Sequence, residues 1–369
     1  MKIGLLGFGT VGRGVDDILK RMNAGADVVS ILVKDISETD DPRATTDFEQ
    51  VLSSDVDTIV ECMGGLEPAG SFVKQALSHG KHVVTSNKLM LANCFDDIMA
   101  LAKEYDALFL AEASVGGGIP IMHNIINAKR IEKVFAFRGI INGTTNYILD
   151  KMATEGAEFY DVLKEAQRQG FAERDPSSDI DGEDVMYKSL ILCNLMSGYS
   201  FELADIHPYG VRHLTKADMA FGKGRGRVLK LVGEANINKG YICVMPEFVH
   251  EPDGLSKVPS NYNRIEYRTD SLEKIAIEGQ GAGRYPTANA VVSDILSILH
   301  GDDYSRLSRD TYKKKRMTES ISSRFYIRDE DISRYEDIMS ERVDDHALIT
   351  KHMCIDDIKV GEKTFIARW

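Results

Sequence analysis

The chain has 369 residues, 43% of them hydrophobic and 28% charged, with a formal net charge of -12. That length is too great for one simple core and points to two or three domains, while the composition excludes disorder, collagen and coiled coil. The acidic balance argues against nucleic acid and anionic membrane as partners, since both need clustered Lys and Arg.

From the N-terminus, short apolar runs at Lys2 to Leu6, Val28 to Val33, Thr58 to Cys62, His82 to Thr85 and Leu108 to Ala111 read as strands. Between them, Gly14 to Met22, Ala69 to His79 and Phe95 to Tyr105 carry apolar residues at helical spacing. The alternation predicts an α/β fold with a Rossmann-like, doubly wound parallel sheet over residues 1–129. Past Arg130 the pattern becomes α+β. A strand at Val134 to Ile141 precedes helical stretches around Tyr147 to Thr154, Tyr160 to Gln169 and Asp184 to Met196. Strands then follow at Val228 to Asn236, Tyr241 to Val249, Arg264 to Thr269 and Lys274 to Glu278. Residues 130–282 are therefore expected to form a separate α+β substrate domain. A helix at Thr287 to Leu299 returns to the first domain, so that 283–301 completes it. Residues 302–319 read as a charged linker. The last segment, 320–369, has the pattern of a small β-α-β-β unit.

Cys62, Cys94, Cys193, Cys243 and Cys354 lie far apart with no C-x-x-C pair, which fits neither a zinc site nor a disulfide framework. No apolar run approaches the ~18 residues of a membrane span, and glycines break up the apolar start of the chain before it could serve as a signal sequence. A cytoplasmic protein is expected. The His207/His213 and His346/His352 pairs are each six residues apart, a spacing that puts neither on one metal-binding helical face.

Gly7-Phe8-Gly9-Thr10-Val11-Gly12 ends the first strand and opens a helix, the setting in which a G-x-G-x-x-G string cradles a dinucleotide. Gly7 permits the turn, Gly9 the approach of a pyrophosphate and Gly12 the packing of helix on strand, with helix N–H groups facing the phosphates. The other reading is a plain tight turn. At the end of the second strand, Lys34 favours a 2′-phosphate and Asp35 a ribose hydroxyl, while Arg43 offers a further phosphate partner. NADP and NAD both stay open, with a lean to NADP.

Thr85-Ser86-Asn87-Lys88 lies at the carboxyl end of the fourth strand, where open α/β sheets bind ligands, although an ordinary surface lysine fits as well. Glu112 to Pro120 holds three successive glycines, either to aim carbonyls at a ligand or hard cation or to make a flexible connection. Residues 170–184 pack six carboxylates around one proline and two glycines, enough acid to hold an ammonium or a cation. The plainer reading is a solvated loop with Asp181 as N-cap of the next helix. Asp184 and Lys188, at i,i+4, share a helix face.

Taken in order, GFGTVGRGV, GKHVVTSNK, EASVGGGIPIM, GIINGTTNYIL, GFAERDPSSDIDGEDVMYK and GQGAGRYPTANAVVSDI resemble the homoserine dehydrogenase family from Gly4 to about Leu299. The resemblance implies reversible NAD(P)-dependent hydride transfer between L-homoserine and L-aspartate 4-semialdehyde, in a homodimer or homotetramer, with 130–282 as the catalytic/substrate and dimerisation domain. It implies that Phe8, Thr10, Val11, Gly283, Lys34 and Lys88 join Gly7, Gly9 and Gly12 at the cofactor. Lys188, Lys88 and Asp184 are the implied catalytic groups, and Glu173, Asp179, Asp184 and Lys188 the implied substrate contacts. Glu112, Val115, Gly117 and Ile119 match a site for a monovalent cation, Na+ or K+, built mainly of backbone carbonyls. Residues 320–369 resemble a truncated ACT module, shorter than the regulatory domain of long family members. The chemistry asks for such a set: carboxylates to meet the substrate ammonium, and a lysine to stabilise the alkoxide and carry its proton. Two competing readings are a Rossmann dehydrogenase for another aldehyde or hydroxy acid and a nucleotide-sensing scaffold without activity.

Overall fold

The computed structural model describes residues 1–53, 55–302 and 310–369. Much of the expected 302–319 linker therefore lies outside the described residues.

Six parallel strands form the first sheet, in the order Ala44–Thr45, Asp27–Leu32, Lys2–Leu6, Thr58–Glu61, His82–Thr85, Phe109–Leu110. Lys2–Leu6 is buried from Ile3 onward, as a strand covered by helices on both faces must be. The chain winds outward from it in one direction, then resumes on its other side at Thr58–Glu61. This reversal opens a crevice at the carboxyl ends of the strands. The helix Arg284–His300 lies against the first helix, Thr10–Met22, and Gly14 makes the closeness possible. A Cβ there would stand 2.9 Å from the Ala288 Cβ and 3.0 Å from the Arg284 carbonyl oxygen.

The short elements that escaped the periodicity reading include the strand Ala44–Thr45 and the helix Phe48–Ser53, each too brief to show a pattern. The helix expected from Phe95 starts at Lys88 and runs to Glu104, because the Asn87 side chain accepts the Met90 N–H at 3.0 Å and caps it.

The second sheet has nine strands in the order Ile275–Gln280, Tyr262–Thr269, Val134–Ile140, Arg227–Asn236, Tyr241–His250, Phe365–Arg368, Phe325–Arg328, Ala347–Thr350, Met339–Arg342. All neighbours are antiparallel except Tyr241–His250 with Phe365–Arg368. Against it packs the helix Glu183–Ser197, buried on every side from Lys188 to Met196. An all-round apolar helix of this kind belongs inside a core. Gly233 admits it, since a Cβ there would meet the Ser189 Oγ at 2.6 Å.

The C-terminal segment departs from the expected β-α-β-β unit. Ile332–Ile338 is a 3-10 helix rather than an α-helix, and the four strands extend the nine-stranded sheet instead of standing apart. Within that extension the order is fourth, first, third, second. The extension is anchored by buried charge: Asp218 accepts from Tyr326 Oη at 2.7 Å and Arg328 Nε at 2.8 Å. Among the described residues no helix is long and apolar enough to cross a membrane.

Candidate active site

The glycine turn is shaped by contacts that forbid side chains. Gly7 has φ +92°, and a Cβ on it would stand 2.8 Å from the Cys62 carbonyl oxygen; one on Gly12 would stand 2.1 Å from the Gly7 oxygen. Around a Cβ on Gly9 nothing among the described residues lies within 4 Å, so the backbone there is open to close approach. Gly9 is also the N-cap of Thr10–Met22 and, being glycine, brings no side chain to cap the helix N–H groups, which leaves them for phosphate. Thr10 is exposed, Val11 half-buried, and Phe8 buried with its ring 4.5 Å from the Arg13 guanidinium carbon. Gly283, at φ +129°, is the N-cap of Arg284–His300.

At the second strand the competition between Lys34 and Asp35 resolves locally. Asp35 accepts the Ser37 N–H at 2.9 Å and Ser37 Oγ at 2.8 Å, and shares a capping box with Glu38. Lys34 remains exposed. Arg43, expected as a further phosphate partner, is instead engaged by Asp16 at 2.9 Å and Asp41 at 2.7 Å. Arg13, which the sequence reading passed over, reaches the Glu38 carbonyl at 3.0 Å and so stands beside this loop.

The two lysines and the acid-rich segment meet around Asp184. Its carboxylate is 2.6 Å from Lys88 Nζ on one oxygen and 2.7 Å from Lys188 Nζ on the other. Lys188 also donates to the Ile141 carbonyl at 2.7 Å. Asn142, at the start of Gly143–Glu155, donates from Nδ2 to Asp184 at 2.8 Å and to Asp179 at 2.6 Å. Its Oδ1 accepts the Thr145 N–H at 2.7 Å, which fixes which end of the amide faces the acids. Asn142 lies in the quoted GIINGTTNYIL string but was not singled out. An Asn before a helical run is an N-cap signal, and only the fold turns its amide toward two carboxylates.

Burial opposes charge on Asp184, yet the ammonium groups of Lys188 and Lys88 and the Asn142 amide hold it well below the usual carboxylate range. Burial pushes the Asp179 carboxyl up, with Asp184 adding repulsion. Lys88, 40% exposed, is raised chiefly by the charge of Asp184. Lys188 is almost fully enclosed, and burial lowers it despite its carboxylate partner. Glu173 is exposed, and its charge also acts on Lys88. Asp181 is not the expected N-cap: Gly182 takes that place at φ +87°, while Asp181 binds Arg212 at 2.6 Å and 2.7 Å.

A second polar knot sits behind the sheet. Glu61, at the end of its strand, accepts from Thr85 Oγ1 at 2.5 Å and the Met63 N–H at 2.8 Å, and the Asn87 amide bonds the Gly65 carbonyl at 2.7 Å. It ties the strand ends that present Lys88 to the crevice. In the glycine loop, the Glu112 carboxylate caps the helix Ile121–Ala128 by accepting the Met122 and His123 N–H groups at 2.9 and 2.7 Å. The carboxylate is thereby committed to the helix, leaving the loop only neutral carbonyls as donors. Among those, the Glu112 and Ile119 oxygens already accept one N–H each, from Val115 and Ile121.

Residues 7–112 match the homoserine dehydrogenase NAD-binding domain and residues 120–296 the homoserine dehydrogenase family. The homoserine dehydrogenase of Synechocystis is 38% identical over 317 residues, covering 81% of this chain and 73% of that one. The chain belongs to the homoserine dehydrogenase family. Its activity is that of the family, reversible NAD(P)-dependent hydride transfer between L-homoserine and L-aspartate 4-semialdehyde. The crystal structure of a homoserine dehydrogenase from Thiobacillus denitrificans superposes with a TM-score of 0.87 at 30% identity, covering 100% of this chain and 97% of that one. A hyperthermophilic archaeal homoserine dehydrogenase in complex with NADPH superposes at 0.71 with 29% identity, covering 81% and 98%.

Proposed function

We propose that Lys188 moves the proton in this homoserine dehydrogenase reaction and that Lys88 orients the substrate. The supporting observation is the single carboxylate of Asp184 shared by both ammonium groups, 2.6 and 2.7 Å away, at the mouth of the crevice. Bound NAD(P)H supplies the hydride that reduces the aldehyde carbon. The oxygen left behind takes a proton from Lys188, whose lowered pKa suits a group that must give the proton in reduction and remove it in oxidation. Asp184 and Ile141 occupy two of its three donors, and the third is left for the substrate oxygen. Lys88, held charged by Asp184, acts as the fixed cation. Glu173 and Asp179 take the substrate ammonium.

In this reading Gly7, Gly9, Gly12, Phe8, Thr10, Val11 and Gly283 bound the dinucleotide. With Asp35 spent on its own cap, Lys34 and Arg13 favour a 2′-phosphate and hence NADP. The carbonyls of Glu112, Val115, Gly117 and Ile119 hold a monovalent cation, the charge that a set of neutral oxygens suits. The protein associates as a homodimer or homotetramer and works in the cytoplasm, and 320–369 is a reduced ACT-like piece that helps association more than it senses threonine.

The test follows absorbance of the nicotinamide with homoserine and either NADP or NAD in wild type, Lys188→Met and Lys88→Met. Lys188→Met is expected to lose roughly 10²–10⁴-fold in kcat with KM little changed, and Lys88→Met to raise KM more than it lowers kcat. The reverse pattern exchanges the two roles.

A further inference from the structure

A buried amide packs against Gly281, a residue in direct contact with the glycine loop. Asn263 is 0% exposed, and among the described residues neither its Oδ1 nor its Nδ2 has a hydrogen-bond partner. Interior amides are almost always paired, so an orphan of this kind marks a place for an ion or water. Asn263 and Ile265 share one face of the strand Tyr262–Thr269, because side chains alternate along it. That face meets the loop: Ile265 Cδ1 lies 3.5 Å from where a Cβ on Gly116 would stand. A Cβ on Gly281 would stand 2.2 Å from Asn263 Cγ, and one on Gly117 would stand 2.4 Å from the Gly281 carbonyl carbon. Gly281 is therefore in close contact with both the Asn263 amide and Gly117 of the loop, with no room for a side chain at either glycine. Gly118 N–H bonds the Gln280 carbonyl at 3.1 Å and locks the layers together.

We propose that the Asn263 side-chain carbonyl is a further ligand of the monovalent cation held by the glycine loop. The inference rests on the cation reading above. A neutral amide oxygen extends a neutral carbonyl set without adding charge, which suits a singly charged hard ion; a divalent one would call for carboxylates. The Glu112 carboxylate, bound to two helix N–H groups, does not serve that purpose.

The test is thermal unfolding at equal ionic strength in sodium, potassium and choline chloride, for wild type, Asn263→Leu and Asn263→Asp. The wild type is expected to melt several degrees higher in sodium or potassium than in choline. Asn263→Leu should lose most of that difference. Asn263→Asp, nearly unchanged in size, should enlarge it, since its carboxylate then depends on the ion. If Asn263→Asp melts lower by the same amount in all three salts while Asn263→Leu keeps the full wild-type difference, the amide binds water and the proposal falls. A wild type indifferent to the cation overturns the cation reading itself, and the proposal with it.

Discussion

Two buried acid clusters, one in each half of the molecule, respond to burial in opposite ways. Asp184 in the second domain faces two ammonium groups and an amide donor, and stays charged well below the usual carboxylate range. Glu112 in the first faces the His123 ring at 3.5 Å and the repulsion of Asp294, and burial pushes it up to about 7. Both carboxylates lie at a helix N-terminus, so the helix ends do not explain the difference. Permanent cations within hydrogen-bond reach do. One cluster is thus built to hold a fixed charge, the other to exchange a proton near neutrality.

The largest expected effect comes from breaking the first cluster. Asp184→Ala strips both lysines of their shared partner and leaves one of them buried without a counter-charge. We expect kcat to fall by about 10³-fold or more, with a stability loss of about 3–5 kcal/mol in urea unfolding. Activity within tenfold of wild type would mean that the lysines do not depend on the carboxylate.

Asn142→Ala sharpens the same side of the comparison with a smaller effect. It removes the amide that holds Asp179 beside Asp184, and the two acids then repel without a bridge. KM for homoserine should rise about tenfold, equivalent to about 1.4 kcal/mol, with kcat changed less. A change confined to kcat would place Asn142 in the proton path instead.

The smallest effect belongs to the second cluster and reads as a slope. Glu112 is raised from 4.5 to about 7, so the folded protein binds its proton more tightly than the unfolded chain, and stability falls as pH rises between those values. His123 is raised as well: burial alone would lower it, but the Asp294 and Glu112 carboxylates prevail. Its contribution is complete below 6.5 and is likewise lost as pH rises through the higher folded value. Denaturant unfolding from pH 5 to 8 should therefore show stability declining by at most about 1.4 kcal/mol per pH unit for each proton involved. Glu112→Gln should flatten that decline, since it removes one titrating group and one of the carboxylates that raise the other. An unchanged slope in the variant would assign the pH dependence to other groups.

Where structure depended on neighbours in sequence, it was legible. The glycine turn, the strands of the parallel sheet and the i,i+4 pair of Asp184 and Lys188 all follow from spacing within one element. Where an expectation failed, a contact from elsewhere had intervened. Asp181 had the right position for an N-cap, yet Arg212 drew its carboxylate away and Gly182 took the cap. Arg43 had the right charge for a phosphate, yet Asp16 lies 27 residues earlier on the adjoining helix and neutralises it. The C-terminal helix expected at Ile332 is a 3-10 turn, and its strands join the sheet already formed by the second domain.

From sequence alone came the family and its chemistry, because short motifs encode turns, caps and helix faces. Tertiary structure decided which charges remain available. Lys88 and Lys188, 100 positions apart, became one site only when the helices that carry them packed together around Asp184. Pairing energies inside a protein depend on distance and burial, and neither quantity is written into the order of the residues.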